Sequence, residues 1–139
     1  MSRINVSRVI LGGLLAGLVI NIGETILNVV VLAQALEDML RGRNLPTLGG
    51  SAIGGFVFFA FILGIMTVCL YAAIRPRFGP GPKTAVIAGL FVWYFAYFYS
   101  TSAMVLMGFY GAKIATVGVV WGLVEIVLAS IAGAWLYTE

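Results

Sequence analysis

Two acidic residues stand inside long apolar stretches, where surface solvation does not explain them. Glu24 lies in the run 10–32, and Glu125 lies near the middle of the run 114–137. A charged side chain at the centre of a membrane-spanning helix costs about 2.5–3.5 kcal/mol on insertion scales, so such residues usually face a bundle interior and often have a role. If these runs cross a membrane, the two carboxyls are the candidate site for a proton or a cation.

Polar residues that could support these carboxyls follow helical spacing. Those of the run 10–32 recur at i, i+3, i+4 and i+7 on one face, which comprises Asn21, Glu24, Thr25 and Asn28. Another apolar run, 84–107, carries hydroxyl groups near its middle that need partners in hydrocarbon. We expect the amides and these hydroxyls to hydrogen-bond the carboxyls, the hydroxyls being those of Tyr94, Tyr97 and Thr101.

The composition indicates that the elements holding these residues are transmembrane helices. Of the 139 residues, 62% are hydrophobic and 9% are charged, whereas about 25% are charged in an ordinary soluble domain. A helix of about 20 residues crosses a hydrocarbon core of about 30 Å. We therefore predict an all-α, integral membrane four-helix bundle that forms a single domain over 1–139, with spans at about 9–33, 51–74, 84–107 and 114–137.

Small residues predict how the first and last spans pack. Gly13 and Gly17 continue the polar face of the first span, and Gly118 and Gly122 lie on the face of Glu125 in the last span. Small residues four apart let helix backbones approach closely in lipid. If the two faces meet, the carboxyls share a dry space and at least one of them keeps its proton at neutral pH. The alternative is that each protonated glutamic acid bonds across to an amide or carbonyl and only fastens the bundle.

The connecting segments predict the topology. The segment 34–50 is either a short helix along the membrane surface or a solvated loop. The segment 75–83 holds three prolines and should end the second span at about residue 74, leaving a stiff basic turn with Arg75, Arg77 and Lys83. Four spans put both termini on one side, and five basic residues (3, 8, 75, 77 and 83) lie on that side against three (41, 43 and 113) on the other. The positive-inside rule favours cytoplasmic termini.

Several kinds of site are disfavoured by what the sequence lacks. It contains no histidine, which removes the common haem ligand, histidine-containing zinc and di-iron patterns, and the commonest catalytic base. We therefore predict no cofactor and no metal site. Cys69 is the single cysteine, so an intrachain disulfide is impossible. A net charge of +3, from dispersed residues, gives no reason to expect a nucleic-acid partner.

Three functions remain open. The first is a small transporter or channel subunit, in a homo-oligomer, that binds a proton or cation at Glu24 and Glu125. The second is a non-catalytic accessory or structural subunit of a larger membrane protein complex. The third, an enzyme acting on a lipid-like substrate, has the least support because no nucleophile is paired with a base. Each places the chain among membrane lipids, and we expect the bacterial inner (plasma) membrane.

Overall fold

A computed structural model describes residues 3–138 and shows an all-helical chain. Two of the long helices contain a π-helical segment, in which the backbone bond runs from residue i to i+5. In chain order the elements are α1 (Val6–Ile26) continued by π-helical Leu27–Val31, α2 (Ala33–Gly42), α3 (Gly50–Phe78), α4 (Pro82–Trp93) continued by π-helical Tyr94–Tyr99 and by α5 (Ser100–Leu106), and α6 (Ala112–Leu136).

Four helical segments are long and apolar enough to cross a membrane, which confirms the predicted all-helical chain with four membrane-length helices. These spans, numbered first to fourth, are Val6–Val31, Gly50–Phe78, Pro82–Leu106 and Ala112–Leu136. The backbone N–H of Asn5 donates a hydrogen bond of 3.3 Å to the Tyr137 hydroxyl, so the two ends of the described chain meet. We call this the terminal end, and we call the opposite end, with α2 and the turn 107–111, the connector end. Positions 1, 2 and 139 of the predicted domain lie outside the described residues.

The second span is longer than predicted because a proline does not end it. α3 continues through Pro76 to Phe78. In the last turn of a helix a proline removes a single backbone hydrogen bond and leaves few residues beyond it to be displaced. The helix ends at Gly79, whose φ of 84° lies in the left-handed region and whose N–H donates to the Arg75 carbonyl.

The predicted basic turn is therefore shorter than the sequence suggested. Two of its cations, Arg75 and Arg77, lie in the last turn of α3, and Lys83 lies in the first turn of α4. The turn itself is residues 79–81, and side chains hold it: the Thr84 hydroxyl donates to the Gly79 carbonyl at 2.6 Å, and the Gly81 N–H donates to a tyrosine hydroxyl of α3.

The four spans form a ring in which α1 packs against α3 and α6, and α4 packs against both α6 and α3. Most of the best-buried side chains lie in the half of the ring nearer the terminal end, and Ile20 lies near mid-span. The largest fully buried ones are Ile20, Thr67, Val68, Thr84, Ile126 and Ser130. Backbones approach closely here, since a Cβ on Gly64 of α3 would overlap the backbone of Gly13 and Gly17 in α1. This half is the packed core of the bundle.

Toward the connector end the helices separate. The first turns of α3 expose large aromatic side chains, among them Phe56 and Phe59. The connector 34–50 contains a helix, α2, in which one face is half-buried and the other exposed. Arg43 follows this helix and donates two hydrogen bonds of 2.7 Å to the carbonyls of Gly108 and Phe109. The candidate site lies between the packed half and this open half.

Candidate functional site

Glu125 forms the buried part of the site. It occupies the middle of α6, and the residue is 5% exposed. The hydroxyl of Tyr97, in the π-helical segment of the third span, donates to Glu125 Oε1 at 2.6 Å. Glu125 Oε2 is also buried and accepts no hydrogen bond from a donor within residues 3–138. One oxygen of the carboxyl is thus held by the Tyr97 hydroxyl, and the other lies against Gly23 of α1.

Glu24 forms the more accessible part. Its side chain is half-buried, and the exposed Asn28 amide donates to Glu24 Oε2 at 2.8 Å. The Glu24 carboxyl is close enough to interact electrostatically with both Glu125 and Tyr97. Neither carboxyl forms an ion pair with a lysine or arginine of the described chain. A polar series therefore runs from Asn28 through Glu24 to Glu125 and Tyr97, without a compensating cation.

Two glycines make the room that these side chains occupy. A Cβ on Gly23 of α1 would overlap the Glu125 carboxyl, and a Cβ on Gly122 of α6 would overlap the ring of Tyr97. Trp121 lies one turn before Glu125 and donates from Nε1 to the Gly23 carbonyl at 3.2 Å. This bond ties the two helices together beside the carboxyl.

Sequence reasoning missed Gly23 and Trp121. Gly23 directly precedes Glu24, and Trp121 lies four residues before Glu125. Proximity to the glutamates was therefore the available signal. It does not distinguish these residues from their neighbours, because the contact that matters joins two helices.

Two of the predicted supporting residues in the first span lie outside the site. Asn21 donates to the carbonyls of Gly17 and Val57, so it links the first span to the second. Thr25 is exposed and returns its hydroxyl to the Asn21 carbonyl at 2.7 Å, the local i−4 bond that a helical threonine commonly makes. Only Asn28, of the predicted group on this span, contacts a carboxyl.

The predicted supporting residues of the third span are also divided. Tyr97 reaches Glu125, but Tyr94 is exposed and stacks its ring on Phe98 at 5.6 Å between centroids. Thr101 lines a separate groove against α6. Tyr94 lies three residues before Tyr97 inside the π-helical segment Tyr94–Tyr99, and a turn wider than 3.6 residues moves a residue three positions away further around the helix axis. Thr101 lies beyond this segment, in α5.

The predicted packing glycines meet different partners from those expected. Gly13 and Gly17 pack on α3 rather than on the fourth span, and Gly122 accommodates Tyr97. A Cβ on Gly118 would meet no atom within 4 Å. The first and fourth spans instead approach at another glycine pair, Gly12 and Gly133. Gly12 lies one residue, or about 100° of helix rotation, from Gly13, so the predicted stripe was rotated relative to the real contact.

The chemistry available at this site is that of oxygen ligands. Two carboxyls, a phenol and an amide converge, and such groups hold a proton or bind a hard cation. The described residues contain no group of three or more His, Cys, Asp or Glu side chains that could hold a metal ion.

Comparison of the chain with family models, curated proteins and solved structures finds no match.

Proposed function

We propose that this chain is a small polytopic membrane protein that conducts or transports a proton, or another small cation, through Glu24 and Glu125. The observation that carries the proposal is the pairing of two hydrogen-bonded carboxyls, Glu24 bonded by Asn28 and Glu125 bonded by Tyr97, which interact electrostatically with each other. Buried carboxyls in series are the groups from which proton relays in membranes are built. The exposed end of the series gives access to the ion, and the buried end holds it away from bulk solvent.

The same proposal includes an orientation and a location. The terminal end carries more of the basic residues, so cytoplasmic termini follow from the positive-inside rule. We place the chain in a bacterial inner membrane as a homo-oligomer, because four helices around a packed core enclose little space for a pathway. Cross-linking in membranes tests the oligomer, and accessibility of a cysteine placed at the connector end tests the orientation.

Ion flux through the purified protein tests the function. The chain is reconstituted into liposomes that contain a pH-sensitive dye, and a membrane potential is imposed. We expect proton flux above that of protein-free liposomes, and we expect Glu125→Gln and Glu24→Gln to reduce it to the protein-free rate. Replacing external sodium or potassium by a large organic cation separates proton from metal-cation movement.

Glu37→Gln is the matched control. Glu37 lies on α2, is exposed and pairs with Arg41 on the same helix, so its loss should leave flux unchanged. If Glu24→Gln and Glu125→Gln retain wild-type flux and fold normally by circular dichroism, the proposed ion site is wrong.

One observation favours the accessory-subunit alternative. The open half exposes an aromatic surface, with Phe56, Phe58 and Phe59 on the second span and Phe95 on the third. A larger complex would cover it. Gentle extraction from native membranes, followed by intact-mass analysis, should then yield stoichiometric partner proteins. Recovery of the chain solely as a self-assembled oligomer would count against this alternative.

A further inference from the structure

A long groove follows the outer seam between α1 and α6. Its volume is about 720 Å³, and its α6 wall runs from Thr116 to Leu128. Twelve helical steps cover about 18 Å, which is close to half of a hydrocarbon core of about 30 Å. Its walls are aliphatic apart from Thr116, Gly23, Trp121 and Glu125. The groove thus has the depth and polarity of the acyl-chain region of one leaflet.

A second groove of about 400 Å³ lies on the other side of α6, against the third span. Thr116 and Val120 line both grooves and are exposed, so they form a ridge between them. The second groove carries the hydroxyls of Thr101 and Ser102 among mainly apolar side chains. Two mainly apolar grooves that share one ridge match a lipid with two acyl chains better than a single-chain molecule.

A cation stands at the connector-end limit of the ridge. Lys113 is exposed in the first turn of α6, three residues before Thr116 and seven before Val120. The i, i+3, i+7 spacing puts the three residues on one face. A lysine at the end of a span extends its ammonium toward the headgroups. A negatively charged headgroup would meet this ammonium while its chains enter the grooves.

We propose that Lys113 and the two grooves form a specific site for one anionic phospholipid of the connector-end leaflet. The headgroup phosphate pairs with Lys113, and one acyl chain lies in each groove on either side of Thr116 and Val120. The chain in the longer groove covers the contact between Gly23 and Glu125 and so keeps water from the carboxyl. This site does not depend on the proposed ion transport, and its test uses binding rather than flux.

Trp121 lines the longer groove and reports its occupant. In nanodiscs, a dibrominated acyl chain quenches a tryptophan that it contacts, and Trp93→Phe with Trp135→Phe leaves Trp121 as the sole source of emission. We expect brominated phosphatidylglycerol to quench Trp121 at about a fivefold lower mole fraction than brominated phosphatidylcholine, the preference that one lysine near a headgroup provides. Lys113→Gln should abolish the difference, whereas Lys83→Gln, at the terminal end, should preserve it.

Native mass spectrometry gives a second readout that needs no tryptophan substitution. The wild-type chain should retain one phosphatidylglycerol in preference to phosphatidylcholine on release from detergent, and Lys113→Gln should lose this preference. The site would be overturned if the two brominated lipids quenched Trp121 equally. It would also be overturned if the wild-type chain and Lys113→Gln retained phosphatidylglycerol equally. Absence of quenching, together with a dimer in the mass spectrum, would show that a second copy occupies the groove.

Discussion

The two halves of the bundle use similar residues with different results. Near the terminal end, Gly64 and Gly133 lie against the backbone of α1. Toward the connector end, α3 and α6 carry two further glycines, Gly54 and Gly118. A Cβ on either of them would meet no atom within 4 Å. Small residues are present along both helices, but they bring backbones together at one end only.

The difference shows that a small residue packs a membrane bundle when its neighbour offers another small residue at the same level. Gly64 lies opposite Gly13 and Gly17, and Gly133 lies opposite Gly12. In the open half, Gly54 and Gly118 have no atom within 4 Å of an added Cβ, so these glycines bring no two backbones together. Glu24, Asn28 and Tyr97 occupy the level at which the separation begins, where a polar group can be held by protein on one side and remain accessible on the other.

Substitution of Gly64 tests the difference between the two halves, and we expect it to change the free energy of unfolding more than the other substitutions proposed below. Gly64→Ala places a methyl group on the α1 backbone, and over-packing of this kind costs about 1–3 kcal/mol. We expect the upper part of this range, since backbone atoms cannot rotate away. Gly54→Ala is the matched control on the same helix and should gain up to about 1 kcal/mol, the helix preference of alanine over glycine. Unfolding in mixed micelles of increasing SDS fraction, followed by circular dichroism, measures both; equal free energies of unfolding would contradict the comparison.

At the boundary between the halves, Tyr97→Phe should have the next largest effect. It removes the hydroxyl that donates to Glu125 Oε1, and a buried acceptor left without a donor costs about 1–3 kcal/mol. Tyr99→Phe, on an exposed tyrosine of the same segment, should change the free energy of unfolding by less than about 0.5 kcal/mol. The same unfolding assay compares the two variants. If they are equally stable, the hydrogen bond at Glu125 does not hold the third span in place.

The number of membrane-length helices was predictable because it requires only length and apolarity. The rotation of each helix about its axis was not, because each span is mostly apolar on every side, and the few polar residues of the first span do not specify which neighbouring helix each glycine faces. Gly12 and Gly13 are equally good packing residues by type, and the tertiary contacts alone decide which helix each one faces. The end of α3 was missed for a different reason: Pro76 costs little in a final turn, and Gly79 supplies the actual stop.

The candidate site was partly predictable in the same sense. The two glutamates were identifiable because charge inside an apolar run is costly, and their role as an ion site stays a prediction. Tyr94 and Thr101 could not be separated from Tyr97 by α-helical spacing, since the π-helical segment changes which side chains share a face. Gly23 and Gly122 matter because Glu125 and Tyr97 occupy the space beside them. The linear sequence does not specify which side chains lie opposite these glycines.

Within the packed half, Ser130→Ala should lower the free energy of unfolding by a smaller amount, which can be compared with that of a serine substitution in the open half. The Ser130 hydroxyl is buried and donates to the Ala85 carbonyl at 2.6 Å, joining the third and fourth spans. Loss of such a bond costs about 0.5–1.5 kcal/mol. Ser102→Ala, in the open half, should cost less than about 0.5 kcal/mol. A loss at Ser102 as large as that at Ser130 would show that the open half is also tightly packed in the bilayer.

The smallest effect is expected at the connector end, where Arg43 is the clamp between the segment after α2 and the turn 107–111. Its guanidinium donates to two carbonyls and lies 5.0 Å from the centroid of the Phe109 ring. Because these contacts are exposed, Arg43→Ala should cost at most about 1 kcal/mol of global stability. It should still release α2, so hydrogen exchange of the α2 amides should accelerate while that of α3 stays unchanged.

Arg41→Ala, which breaks the pair with Glu37 inside α2, should leave the turn 107–111 as protected as in the wild type. Unchanged exchange of α2 in Arg43→Ala would mean that the bilayer surface, rather than the clamp, holds this helix.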